Sequence, residues 1–499
     1  MSTLDNPLIL RDFSRGRYAQ SSVNDSDIPP NSVSGCTNVN FDQIIGSAVV
    51  RPGTTIIGTT IASNKTPLGF AEYVSSKGTV INNLIAVYSG ASNASVYYYN
   101  GSSWQTSNLT SLSNSANNRF AMLGNQIFIV NGVDKMRTSS DGGATWGTTN
   151  SIDASGTIAP SLVFRTNAML LAAGDASQSP SRVFFSSVVD PTTSPGTITW
   201  NTNAATGNWI DINPDDGDTV TAFAETSNTT LIFKNHGMYR IDIVTTAVDP
   251  QNVFNIGAVS QEAVVNCRGT VYFFSGNGIF RTTGDLPEEI SRLGVGDIIS
   301  QISQANWSLV AAGTDDQNVY FSVGNITLNP NKNNQRTYNN VVLKFSVRDE
   351  TWSVHSYAQQ PRFYTKYTDS NGRLMRSVDT LGDAQTVNIG TTDNGTPIFY
   401  EVITQAQEMG DRAHLDKISD RIIVFTQNAL DSQFQAAEGE NDFKDIQINF
   451  DGSRVTISTD INLEDYYFYF RWFGNSSGTA PVFEGFQIET MEDKGVVTK

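Results

Sequence analysis

The segment from Val220 to Arg281 writes one pattern twice. The first copy is Thr230-Leu231-Ile232-Phe233-Lys234-Asn235-His236-Gly237-Met238-Tyr239-Arg240. The second is Thr270-Val271-Tyr272-Phe273-Phe274-Ser275-Gly276-Asn277-Gly278-Ile279-Phe280-Arg281. Each is an apolar run rich in β-branched and aromatic residues, a polar-Gly pair, and a second apolar run. Such runs suit a pleated, half-buried surface, and glycine supplies the positive φ of a tight hairpin turn. The segment therefore predicts two β-hairpins, turning at Asn235–Gly237 and Gly276–Gly278.

The same unit recurs outward from this segment. Gln126–Gly132 is one copy, and Val96–Gly101, closed by Trp104, is another. Met169–Ala172 with Arg182–Phe185, Asn318–Phe321 and Gly372–Met375 follow the pattern more loosely. The anchors recur roughly every 40–60 residues, the period of a propeller blade or solenoid unit. A lone hairpin cannot bury its apolar face, so the copies must pack on one another. The spacing predicts a propeller of six or seven blades, with a hairpin-rich β-sandwich as the alternative.

At 499 residues the chain is long enough for two or three cores. It has 40 glycines and frequent Ser, Thr and Asn, a composition of short strands and turns. Its 32 basic residues against 49 acidic ones leave a net charge of −17, which repels phosphates and argues against a DNA-reading domain. Cys36 and Cys267 are the two cysteines; they form neither a disulfide framework nor a CxxC pair and read as small buried residues. Met1–Pro7 has no basic-apolar signal pattern, and no apolar run approaches membrane-spanning length, so a protein made in a cytoplasm without a spanning segment is expected.

Ser139-Ser140-Asp141-Gly142-Gly143-Ala144-Thr145-Trp146 matches the Asp-box of propeller hairpins at Ser139, Asp141, Gly143, Thr145 and Trp146. Asp141 is expected to accept turn amides, Gly143 to permit the tight backbone and Trp146 to pack into the blade. The box marks a propeller hairpin, and it raises the question of a glycosidase. That chemistry calls for convergent arginines and a nucleophile paired with an acid; the arginines here are scattered, and Pro361–Tyr364 does not match. His236, His355 and His414 have no second ligand at metal spacing, and Asp215–Asp218 lacks the remaining oxygens of a calcium loop. There is no phosphate-cradling Gly-Lys-Ser/Thr and no Gly-x-Ser-x-Gly. No catalytic residue, metal or cofactor is expected.

Residues 1–60 differ from a blade. Their prolines and polar turns predict an extended arm lying on other surfaces, of the kind that ties a subunit to its neighbour; a first blade with irregular loops is the alternative. The arm carries four elements in order: Arg11–Gly16, Asp27–Asn31, Asn38–Asp42 and Arg51–Gly53. In these, and at Asp218–Phe223 with Leu231–Lys234 and Gly278–Arg281 through Leu286–Ser291, the chain resembles propeller-bearing tail nozzle or hub (packaged-DNA stabilisation) proteins of short-tailed bacteriophages. It departs where a double glycine is usual after Phe-Ser, having Arg15-Gly16 instead.

The propeller is expected over residues 61–405 and a separate C-terminal β domain, sandwich-like, over 406–499. The latter contains Arg421–Phe425, Ile446–Phe450, Val455–Ser458, Val482–Ile488 and the aromatic run Tyr466–Trp472, whose two faces alternation cannot distinguish. The fold class read from the chain is therefore all-β, with arm, propeller and sandwich. The resemblance implies a structural virion protein, a homohexameric ring continuing the DNA channel below portal and adaptor proteins. It would meet tail fibres and, transiently, double-stranded DNA. On that reading the acidic loops Asp215, Asp216 and Asp218, and Glu438, Glu440 and Asp442, are candidates to line the channel. A receptor- or glycan-binding propeller at the tail tip, a glycosidase-like propeller and a host extracellular propeller, the last disfavoured by the missing signal pattern, are the rival readings.

Overall fold

The computed structural model describes residues 8–18, 29–61, 65–75, 81–148, 151–153, 157–175, 177–189, 198–203, 206–227, 229–241, 251–328, 336–407, 416–418, 421–438, 443–446, 448, 450–459, 463–465, 468–488 and 491–493. Glu440, Asp442, Asp27, Ile28, the loop segment 190–197 and the loop segment 329–335 lie outside them.

Both hairpins of the repeated segment form. Thr230–Lys234 pairs antiparallel with Met238–Ile241, and Thr270–Phe274 with Ile279–Thr282. Their turns differ from the expectation in one respect. Gly276 takes a positive φ of 93°, but Gly237 is not in that region. Gly237 is required by close approach instead: a Cβ there would lie 2.8 Å from Tyr239 Cε2.

Each hairpin belongs to a four-stranded antiparallel sheet, and among the described residues seven blades, six of them four-stranded, follow in chain order. Their innermost strands are Pro67–Ser75, Arg119–Leu123, Leu162–Thr166, Val220–Glu225, Val264–Cys267, Ala311–Thr314 and Pro361–Asp369. Each packs on the next, and Pro361–Asp369 packs on Pro67–Ser75, so the ring closes as a seven-bladed propeller. The second blade has three full strands, and an isolated bridge from Thr138 to Gly147 extends it. Blades are covered on both faces by their neighbours. That is why Thr230–Lys234 and Val271–Phe274 are buried throughout and read as continuous apolar runs instead of alternating ones. Aromatic pairs mark the blade contacts: Phe164 with Phe223 at 5.9 Å, Phe233 with Phe273 at 4.9 Å and Tyr272 with Phe345 at 6.1 Å between ring centroids.

The arm is extended, and the surfaces it lies on belong to its own chain. Thr54–Ile56 pairs with Ala384–Val387 as the fourth strand of the seventh blade, so a strand from before the first blade closes the last. The earlier arm strands enter a β-sandwich. Val39–Asn40, Ala48–Val50 and Leu8–Leu10 join Val482–Ile488, Arg421–Gln427 and Val455–Thr459 in a six-stranded sheet. Val33–Thr37 joins Ile398–Thr404, Phe468–Ser476, Ser432–Glu438 and Phe443–Asp445 in a five-stranded one. The sandwich is therefore built from both ends of the chain. Ile398–Thr404, which the boundary at residue 405 left in the propeller, belongs to it.

Phe470 and Phe486 meet at 4.4 Å and Trp472 and Phe483 at 5.2 Å between the sandwich sheets. Phe468, Phe470 and Trp472 are buried there, so this part of the aromatic run is core. The arm also covers an open edge of the sixth blade. Arg17 N donates to Trp352 O at 3.0 Å and Asn38 N to Val354 O at 2.8 Å, and Asn38 Oδ1 accepts Ser356 N at 2.7 Å. An outer strand that would otherwise expose unpaired backbone groups is thereby satisfied.

Candidate functional site

Two places concentrate polar chemistry: the propeller axis and the seam between propeller and sandwich. The inner strands enclose an axial cavity of about 410 Å³, lined among others by Phe70, Glu72, Arg119, Phe164, Glu262 and Tyr364. Arg119 stands on the second blade and Glu262 just ahead of the fifth, so the contact between them crosses the axis. Arg119 Nε donates to Glu262 Oε1 and Nη2 to Oε2, both at 2.9 Å, and Nη1 donates to Ser161 O at 2.9 Å. Burial pushes the Glu262 carboxyl up, but the Arg119 guanidinium outweighs it and holds the group below the usual carboxylate range. Beside it, Gln261 bonds both backbone groups of Phe223, at 2.8 Å and 3.0 Å, and so ties the fourth blade to the fifth. Arg119 is the one arginine lining this cavity among the described residues, and it is already paired. The three convergent arginines that would favour a glycosidase are not assembled there.

The loop holding Asp215, Asp216 and Asp218 is partly consumed by its own blade. Lys234 is fully buried, and its Nζ donates to Asp216 Oδ1 at 2.7 Å, Ser181 Oγ at 2.9 Å and Asn213 O at 3.0 Å. Asp218 caps the hairpin turn, accepting Asn235 Nδ2 at 2.7 Å and His236 N at 2.8 Å. Asp215 is exposed. Two of the three carboxylates therefore hold the blade together, and one faces solvent. Glu438 ends a strand of the five-stranded sheet.

The Asp-box residues form one closed turn. Ser139 Oγ donates to Asp141 Oδ1 at 2.8 Å and accepts Gly143 N at 3.1 Å, and Thr145 N donates to Asp141 Oδ1 at 3.0 Å. Trp146 is buried, with Nε1 donating to Gly143 O at 2.9 Å. The motif's remaining bonds reach the first blade, where Asn83 Nδ2 donates to Gly142 O at 2.9 Å and Tyr73 OH to Ser140 O at 2.9 Å, so the turn is a structural element that ties two blades together. Cys36 and Cys267 are buried free thiols, and burial pushes the Cys36 thiol up to about 11.

The seam was missed by sequence reasoning as a unit. Arg51 is 1% exposed, and it holds Asp393 through bonds of 2.9 Å and 2.6 Å. The same guanidinium donates to Asn38 Oδ1 at 2.8 Å and Ser356 O at 2.9 Å, and stacks 4.0 Å from the Tyr357 ring centroid. Nearby, Lys344 Nζ donates to Asp42 Oδ1 at 2.6 Å and Asn40 Oδ1 at 3.0 Å. His355 Nε2 lies 3.0 Å from Asn40 Oδ1, an acceptor, so Nε2 carries the proton. Burial, with the charges of Arg51 and Lys344, pushes the His355 pKa well down, so the ring is neutral. Further along, Arg17 reaches Asp297 on the helix Arg292–Ile299 at 2.5 Å and Gly294 O at 2.7 Å. Charges buried with this many bonds specify one docking angle between the two domains. Two of the four arm elements singled out in the sequence, Asn38–Asp42 and Arg51–Gly53, contribute to the seam, and Arg17 follows directly on a third.

No protein-family model and no curated protein sequence matches this chain. Among solved structures, one of YCF48 bound to D1 peptide is similar at 12% identity, covering 67% of this chain and 97% of that one with a TM-score of 0.40. BamB from Moraxella catarrhalis is similar at 10% identity, covering 71% and 96% with a TM-score of 0.40. YCF48 from Cyanidioschyzon merolae is similar at 10% identity, covering 67% and 98% with a TM-score of 0.39.

Proposed function

We propose that this chain is a structural subunit of the tail nozzle or hub of a short-tailed bacteriophage. In this reading it forms a ring, a homohexamer, that continues the DNA channel below portal and adaptor proteins and adjoins the tail fibres. It retains packaged DNA and passes it on at ejection, without catalysis. The supporting observation is where the resembling arm elements lie. Asn38, Asp42 and Arg51 are the residues that lock sandwich to propeller. A seam of buried ion pairs is what a channel-forming subunit under load requires, because a rigid joint keeps the two domains in fixed relation. The net charge of −17 fits the same role: a negative wall offers phosphates no partners, so DNA can slide without being held by salt bridges.

Cryo-electron microscopy of particles from a lysate containing this protein tests the reading. Six copies around the tail axis are expected. Copies confined to the tail periphery would favour a receptor-binding role, and absence from the particles would overturn the virion assignment.

A further inference from the structure

A second cavity, of about 380 Å³, opens at the seam but faces outward. Its floor is the outer face of the five-stranded sandwich sheet, and its wall is the long hairpin of the sixth blade, Asn318–Leu328 with Arg336–Ser346. Strand register places Thr37 opposite Glu401, and Glu401 opposite Phe473, so these side chains share one face of the sheet, and Thr37 and Glu401 line the floor. Arg471 lies among them. It pairs with Glu401 at 2.5 Å, donates to Gln435 Oε1 at 3.2 Å, and stacks over Phe473 at 4.2 Å and Phe443 at 5.8 Å. That pair is neutral as a unit.

Three features of the cleft find no full answer among the described residues. Arg336 lines it; it bonds to the side chain of Tyr338 but has no carboxylate at ion-pair distance among the described residues. The guanidinium rests over Gly35, where a Cβ would lie 2.7 Å from Arg336 Nη1. Thr37 is 4% exposed and its hydroxyl has no hydrogen-bond partner, a state that costs about 1–3 kcal/mol when nothing else satisfies it. Phe399 presents a ring that is 40% exposed at the rim.

A guanidinium whose partner is a neutral phenol, beside a neutral ion pair, leaves one positive charge in excess among the described residues, and it suits one carboxylate. The orphan hydroxyl, with the amide of Asn339 and the Glu401 carboxylate, suits a ligand rich in hydroxyls. The exposed ring suits a flat apolar C–H face. The volume falls within the range of small-ligand sites. We infer that this cleft binds a saccharide carrying a carboxylate, a uronic or sialic acid residue, with Arg336 on the carboxylate and Phe399 beneath the sugar ring. The inference goes beyond the structural role above and does not rest on it.

The full chain is titrated by calorimetry and by saturation-transfer NMR with a galacturonate trisaccharide and with sialyllactose. Lactose and a glutamate tetrapeptide are the comparisons. The chain is expected to bind at least one acidic saccharide, lactose at least about tenfold more weakly, and Arg336→Gln to weaken acidic-saccharide binding by about tenfold or more. Phe399→Ala, at an exposed position, is expected to weaken it while leaving the melting temperature unchanged. Binding of neither acidic saccharide at millimolar concentration overturns the proposal. So does an unchanged affinity in Arg336→Gln. Equal binding of lactose would remove the carboxylate from the recognition, and equal binding of the glutamate tetrapeptide would make the ligand an acidic protein segment; either result overturns it.

Discussion

Arg119 and Glu262 are joined by two hydrogen bonds of 2.9 Å across the propeller axis, although 143 residues separate them in the chain. Their side chains are 19% and 9% exposed, so each charge depends on the other. Glu262→Gln is expected to cost about 3 kcal/mol, because it leaves a guanidinium without its counter-charge. The double variant Arg119→Met with Glu262→Met is expected to cost clearly less. Folded Glu262 stays ionised to lower pH than it does in the unfolded chain. Its contribution is therefore complete above the unfolded value of about 4.3 and is lost as pH falls through the lower folded value. Urea denaturation of the three proteins checks this, and equal losses in single and double variants would contradict it.

Arg51 uses its fork on Asp393 and its remaining donors on Asn38, Ser356 and Pro52. A lysine cannot reproduce that geometry. Arg51→Lys is expected to destabilise by about 3 kcal/mol and to separate the melting of sandwich and propeller into two calorimetric transitions. A single transition at the original temperature would show that the seam does not couple the domains.

His355 is neutral in the fold because burial and two nearby cations disfavour its protonation. The unfolded chain binds a proton at this residue below about pH 6.5, and the folded one does not. Stability at this site is thus complete above that pH and declines as pH falls, by up to about 1.4 kcal/mol per unit. His355→Gln keeps a donor for Asn40 and is expected to flatten this slope between pH 6.5 and 5. An unchanged slope in chemical denaturation across that range would place the titration elsewhere.

Gly53 precedes the strand that closes the ring, and a Cβ there would lie 1.9 Å from Thr392 O. Because the obstacle is backbone, Gly53→Ala is expected to cost on the order of 4 kcal/mol and to expose the closing strand to protease. Gly101, at φ 90° with nothing within 4 Å, is the control. Gly101→Ala should cost about 1 kcal/mol through backbone strain alone. Similar losses in both would mean that the closure is not set by close approach.

The repeated hairpins were legible because their signals are local. Thr230–Lys234 and Thr270–Phe274 are dense apolar runs flanking turn residues, and the Asp-box spans eight consecutive positions. The buried Lys234 was less legible. A lysine in such a run resembles a solvated strand end until the loop around Asp216 is seen folded over it. A signal existed in the Asp215–Asp218 cluster just upstream, but spacing alone does not pair an acid with a lysine.

By itself, then, the sequence determined the all-β class, the hairpin unit and the divergence of both chain ends from the blades, since propensity and period act over a few residues. Tertiary structure decided the rest. The count of seven, the closure by Thr54–Ile56 and the sandwich made from both termini depend on strands that meet partners hundreds of residues away. Several of those arm strands are only two or three residues long, too short for any period to register. Arg51 and Asp393, 342 positions apart, become neighbours only once the ring is closed. Their attraction strengthens where water is excluded, and burial is a property of the assembled fold.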